Sequence, residues 1–164
     1  MLGISAIEFR LRVIRPTLQR IDLWSEASEN LLLGTAAQES QLGYYLAQEQ
    51  GPALGIYQIK PSTHRKLWNN YINRCNKLVD QIKGFLPTNC HTLEMMDNEL
   101  ITNLAYATVI ARLIYQQADV PLPKAHNVES LARYWQRYYK LSLDEDCINN
   151  FIYNYQQYVL FANF

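Results

Sequence analysis

Between residues 41 and 61 the chain drops the helical repeat of apolar residues that governs the segments on either side. Gly43, Gly51, Pro52 and Gly55 punctuate this stretch, and Gly55-Ile56-Tyr57-Gln58-Ile59 is short and β-prone, which predicts a loop or a small hairpin. The flanking segments read as helices. Ser5 with Glu8 has capping-box spacing for a first helix, and Pro16 either kinks it or opens a second piece carrying Leu18, Ile21, Leu23 and Trp24. Ser25 or Ser28 caps a largely buried helix over 29–40, with Leu31, Leu32, Leu33, Ala36 and Ala37. Helical patterning resumes over 62–72, while 83–93, with Gly84, Pro87 and Asn89, is less regular. Residues 97–117 carry Leu100, Ile101, Leu104, Ala107, Ala111 and Ile114 at helical spacing and predict one central core helix. Asn127 caps a helix to about residue 140, and Ser142 with Glu145 opens the last. The expected fold is all-α, roughly six to eight helices with one Gly-rich insertion.

A chain of 164 residues suits one domain, 1–164, that buries roughly two-thirds of its unfolded surface. Apolar residues at 49% and charged residues at 18% favour a packed core over disorder. The 15 basic and 15 acidic residues cancel, and no basic stripe offers a phosphate-binding face, which argues against nucleic acid as a partner. Residues 1–16 are broken by Glu8, Arg10, Arg12 and Arg15 and lack the layout of a signal peptide. The aromatic stretch 147–164 is broken by Asn and Gln and is too short to span a bilayer, so no membrane insertion is expected. Cys75, Cys90 and Cys147 form no Cys-x-x-Cys pair and match no zinc template, so they read as reduced structural thiols of a protein made in a cytoplasm. Twelve tyrosines and three tryptophans against five phenylalanines suit sugar-stacking grooves and half-buried cores alike.

The residue with most chemical promise is Glu39. On a helix it shares a stripe with Leu32, Thr35, Ala36 and Leu42. Desolvation on an apolar wall disfavours the charged carboxylate, and a carboxyl still protonated near neutral pH can deliver a proton to a leaving oxygen. Periodicity alone is served more simply by a side chain that points to solvent as the helix runs out.

Two segments in order add to that reading. Thr35-Ala36-Ala37-Gln38-Glu39-Ser40-Gln41, followed by Gly55-Ile56-Tyr57-Gln58-Ile59-Lys60-Pro61-Ser62-Thr63, resembles the paired signature of soluble lytic transglycosylases and goose-type lysozymes. There a Glu-Ser at a helix end precedes Gly-Leu-Met-Gln, an apolar residue and often Pro-Ser or Pro-Ala. The whole of 31–68 also resembles small phage-encoded lysozyme-like proteins. The resemblance implies a lysozyme-like fold, peptidoglycan glycan strands as substrate, no cofactor, and Glu39 as general acid. It further implies that Ser40 bonds the acid or a sugar substituent, and that Gly55 lets the backbone approach the sugar. Gln58 would bond the sugar near the scissile linkage, and Tyr57, in place of the family's Met, would wall the groove.

Weaker matches lie further on. Residues 103–113 resemble the family's central helix, and 131–135 stand where it has Ala-Tyr-Asn-x-Gly. Tyr134 would match the tyrosine that bonds the acid, but Trp135 replaces the Asn and the glycine is missing; a half-buried helix tyrosine is the alternative. Glu49, Glu94, Asp97, Glu99 and Asp119 are candidates for a second carboxylate, though none sits in a motif. One acid alone suits the lytic transglycosylases, in which the sugar's own substituents assist and an anhydro product forms without water. His64, His91 and His126 form no metal-binding spacing and read as solvated or capping residues, and there is no Gly-x-Ser-x-Gly elbow.

The expectation is a peptidoglycan-cleaving enzyme that cuts the N-acetylmuramic acid–N-acetylglucosamine bond. Without an export signal, a virion component that bores the wall, with other tail or internal virion proteins as partners, fits better than a holin-released endolysin. The competing expectation is a non-catalytic adaptor that keeps a lysozyme-like fold and docks through its tyrosine-rich C-terminal helix.

Overall fold

Side-chain caps mark four helix starts. Ser25 Oγ accepts the Ser28 amide and Ser28 Oγ accepts the Ser25 amide, a reciprocal pair that closes two of the amides a helix leaves open. Thr92, Asn103 and Asn127 each accept the amide three residues on. The computed structural model describes residues 3–161, and they are all-α. In order come α1 (Ala6–Phe9), α2 (Arg15–Arg20), α3 (Glu26–Ser40), α4 (Pro61–Asn70), α5 (Asn76–Lys83), α6 (Leu93–Thr102), α7 (Leu104–Gln116), α8 (Val128–Trp135) and α9 (Asp146–Tyr155). Turns of π-helix at Arg10–Ile14, Gln136–Lys140 and Gln156–Leu160 join α1 to α2 and extend α8 and α9.

Several boundaries differ from expectation for local reasons. Residues 97–117 are two helices because Asn103 breaks them. Its backbone is extended, its Oδ1 caps Tyr106, and its Nδ2 donates to Glu99 Oε2 and to the Phe85 carbonyl. Asparagine competes with the backbone for such bonds, while the apolar stripe continues across it unbroken. Pro16 stands in the first turn of α2, where its missing amide costs least, so of the two expectations for it the second piece is the one found. Ser5 precedes α1 without a side-chain cap, and Ser142 Oγ accepts the Asp144 amide instead of capping α9. The unexpected α5 is short and amphipathic, with Ile82 buried and Lys77, Asp80 and Lys83 outside.

Two helices are enclosed rather than one. In α3 every residue from Leu31 to Ala37 is buried, as is every residue from Tyr106 to Tyr115 in α7. The Gly34 position allows α9 to close on α3: a Cβ there would sit 2.4 Å from the Phe151 ring. The tyrosine-rich C-terminal helix therefore turns much of its aromatic face inward, burying Phe151, Tyr155 and Val159 and leaving Tyr153 exposed.

Two buried polar clusters pin the helices together. Glu29, with no exposed surface, accepts Arg10 at 2.6 Å, the Arg15 fork at 2.8 Å and Trp24 Nε1 at 2.8 Å. Burial pushes its pKa up, but those donors outweigh it and hold the carboxyl below its ordinary value. His64, expected as a solvated or capping residue, is fully buried between α4, α6 and α7. One proton arrangement satisfies every atom: Nδ1–H donates to Asp97 (2.7 Å), the Tyr106 hydroxyl donates to Nε2 (2.7 Å), and Trp68 Nε1 donates to the Tyr106 oxygen (2.9 Å). Arg65 forks the far oxygen of Asp97.

The stretch after α3 stays irregular, carrying isolated bridges from Leu54 to Ala47 and to Ile59. No helix among the described residues is long and apolar enough to cross a membrane. Cys75, Cys90 and Cys147 are free thiols.

Candidate active site

Glu39 sits on the last turn of α3, half-buried at one end of a groove with a cavity volume of about 260 Å³. Burial raises its carboxyl pKa to about 6, against the pull of the Lys140 ammonium and of a hydrogen bond from Trp135 Nε1 to Oε1 at 3.0 Å. Helix end and groove coincide because Gln41 and Leu42 both adopt left-handed backbone (φ 52° and 57°), turning the chain off α3 within two residues of the acid.

The facing wall comes from the irregular segment and the start of α4. Gln58 is buried with φ 48°, a left-handed conformation that costs a non-glycine residue about 1 kcal/mol. Its Nε2 donates to the Gly55 carbonyl at 2.9 Å, while its Oε1 has no partner. A buried acceptor left open in a groove needs a donor from outside the protein or from water. Lys60 and Thr63 line the same cavity.

The third wall is the end of α8 and its π turn. Trp135, the last residue of α8, reaches Glu39, and Tyr139 and Lys140, on the π turn that follows, line the cavity. The Tyr139 hydroxyl donates to the Tyr57 carbonyl at 2.7 Å, tying this wall to the facing one. Leu141, again left-handed at φ 55°, ends the turn.

Of the residues singled out from sequence, Glu39 and Gln58 line the groove and four do not. Ser40 is fully buried; its hydroxyl donates to the Ile56 carbonyl at 2.6 Å and accepts the Gly43 amide at 2.9 Å, so it staples the helix end to the irregular segment. Gly55, at φ 77°, is demanded by the protein's own backbone: a Cβ would lie 1.8 Å from the Leu100 carbonyl oxygen. Tyr57 is fully buried, its hydroxyl paired with Thr108 at 3.0 Å, and walls no groove. Tyr134 faces away from the acid, its hydroxyl donating to the Val120 carbonyl at 2.8 Å and its ring against Tyr115 and Tyr138. The side chain that bonds the acid is its neighbour Trp135.

None of the second-carboxylate candidates reaches the groove. Asp97 is held by His64 and Arg65, Glu99 accepts from Asn103, Glu94 and Asp119 are exposed and outside the lining, and Glu49, also exposed, follows Gln48 of the lining without joining it. Among the described residues that line the cavity, Glu39 is the one acid. Sequence reasoning missed Trp135, Tyr139, Lys140, Lys60 and Thr63. Helical spacing holds a signal for Tyr139, four residues after Trp135 on the same face; the π turn that adds Lys140 leaves none. Comparison of the chain with known protein families, with curated proteins and with solved structures finds no match.

Proposed function

We propose that this protein is a peptidoglycan-cleaving glycosidase of phage type, with a lysozyme-like fold in which the irregular segment after α3 is the insertion. The observation that carries the proposal is a desolvated carboxyl, its pKa raised to about 6, that is the one acid among the described residues lining a groove. Glu39 then serves as the general acid at the N-acetylmuramic acid–N-acetylglucosamine bond. Its proton passes to the bridging oxygen as the C1–O bond breaks, and the positive charge that builds on the ring is the charge the new carboxylate opposes.

A hydrolase of the two-carboxylate kind needs a second carboxyl about 5–9.5 Å from the first. With Glu39 alone in the groove, the lytic transglycosylase route is favoured. In it the carboxylate left after the first step takes the proton of the muramic acid's C6 hydroxyl as O6 closes on C1, giving a 1,6-anhydro product and restoring the acid. Trp135 suits both halves, because its N–H bond steadies the ionised form between them. Mass spectrometry of digested sacculi tests this: anhydro-muropeptides are expected, and reducing-end products would assign a muramidase instead. We place the protein in a virion, with tail or internal proteins as partners.

One observation favours the adaptor reading. Ser40, Gly55 and Tyr57 each hold the fold together, so a scaffold without turnover has reason to keep them. It has no such reason to keep Glu39 desolvated or the Gln58 acceptor open.

A further inference from the structure

Three features of the groove remain once Glu39 has its role. Lys60, at the residue before α4, and Lys140, at the end of the π turn after α8, enter from different elements and both line the cavity. Neither ammonium forms an ion pair among the described residues. The third is the open acceptor Gln58 Oε1.

With Glu39 protonated, the form that can act as an acid, the described residues that line the groove bring two positive charges and no negative one. A cleft focuses such a field on whatever enters it. Lys140 also works against Glu39, since its charge favours loss of the very proton the acid must keep. A groove made for a neutral glycan gains nothing from that arrangement. A glycan bearing carboxylates gains an attraction on two sides. The Gln58 oxygen adds a second demand, for an N–H or O–H donor on the same ligand.

We propose that Lys60 and Lys140 are specificity determinants that select glycan strands carrying carboxylates, while Gln58 Oε1 accepts the N–H of an acetamido group on the same strand. The substrate class is thus an anionic N-acetylated strand, as distinct from a neutral N-acetylglucosamine polymer. This rests on the glycosidase reading for its chemistry, but the binding it describes is measurable without turnover.

The experiment is titration calorimetry on Glu39→Gln, which binds without cleaving. The ligands are chitotetraose, an N-acetylglucosamine–N-acetylmuramic acid tetrasaccharide without peptide, and the same tetrasaccharide bearing alanyl-glutamate stems, as free acid and as amide. The expected result is that chitotetraose binds about tenfold more weakly than the best carboxylate ligand at low salt, and that the gap narrows as salt rises. Adding Lys60→Met or Lys140→Met is expected to cost the carboxylate ligand about threefold to fivefold each and leave chitotetraose unchanged. Preference for the stem-free strand locates the carboxylate on the lactyl ether, and preference for the acid over the amide locates it on the stem. De-N-acetylation is expected to weaken binding, and Gln58→Leu to remove that difference. Equal binding of neutral and anionic strands, lysine variants that keep the preference, or no binding of any strand overturns the proposal. Selective binding by Glu39→Gln with no turnover by the wild type would instead retire the glycosidase reading and leave the ligand class standing.

Discussion

The Glu39 side chain is kept in the folded protein at a cost, and its titration sets when the cost falls due. Burial raises its pKa from the ordinary 4.5 to about 6, so the folded state binds this proton more tightly than the unfolded chain. The stabilisation is complete below about pH 4.5 and is lost as pH rises through about 6. Above that window an ionised Glu39 costs about 2 kcal/mol. Glu39→Gln is therefore expected to raise stability by about 2 kcal/mol at pH 7.5 and by far less at pH 4, as read by urea denaturation. Cleavage is expected to decline above about pH 6, following the protonated fraction. Trp135→Phe keeps a ring of similar shape but removes the donor to the ionised carboxyl; it should move that decline to higher pH and slow turnover. At this scale the sequence is legible for the raised carboxyl of Glu39, because Leu32, Thr35 and Ala36, one and two turns back on α3, are all buried. It is less legible for the acid's partner. Adjacent helical residues point about 100° apart, so placing the motif on Tyr134 rather than Trp135 selects a different face.

The elements that carry the site are fixed by polar contacts that hydrophobic patterning does not reveal. Glu29 links α3 to α2 and to the π turn before it, which orients the helix whose far end bears Glu39. Glu29→Gln leaves two partly solvated guanidinium groups facing a neutral amide and is expected to cost about 1–3 kcal/mol in chemical denaturation. Because this carboxyl's pKa lies below its ordinary value, the wild-type contribution is present above the unfolded pKa. It should fade as pH falls through the folded one. The helices themselves follow from apolar spacing and from Ser25 and Asn127, whose short side chains offer the backbone a start. The break at Asn103 does not, since Leu100, Leu104 and Ala107 keep their register across it and the competing bonds go to Phe85 and Glu99. The π turn after α8 is equally hidden, yet it places Lys140 on the groove.

Across the whole molecule, a chain with no net charge lines one cavity with a desolvated carboxyl and two lysines that have no ion-pair partner among the described residues. Composition cannot show this, because the imbalance arises from which residues the fold brings together. Two left-handed non-glycine residues, Gln58 and Leu141, line that cavity, and two more, Gln41 and Leu42, end the helix that carries Glu39. Local conformational cost of this kind gathers at functional sites, where the surrounding packing holds it in place. A wider depression of about 490 Å³ lies between the residues after α2 and those of α5, lined by Leu23, Tyr71, Leu78 and Leu113 among others. Its acid, Asp22, is exposed to solvent, so the size of a cavity does not decide where the chemistry lies. The role proposed for Glu39 is read most directly from the release of soluble muropeptides from purified sacculi at pH 5.5. The wild type is expected to release them, and Glu39→Gln, folded and at least as stable, to release none. A wild type that releases nothing, or a Glu39→Gln protein that matches it, would rule out Glu39 as the acid of a wall-cleaving enzyme.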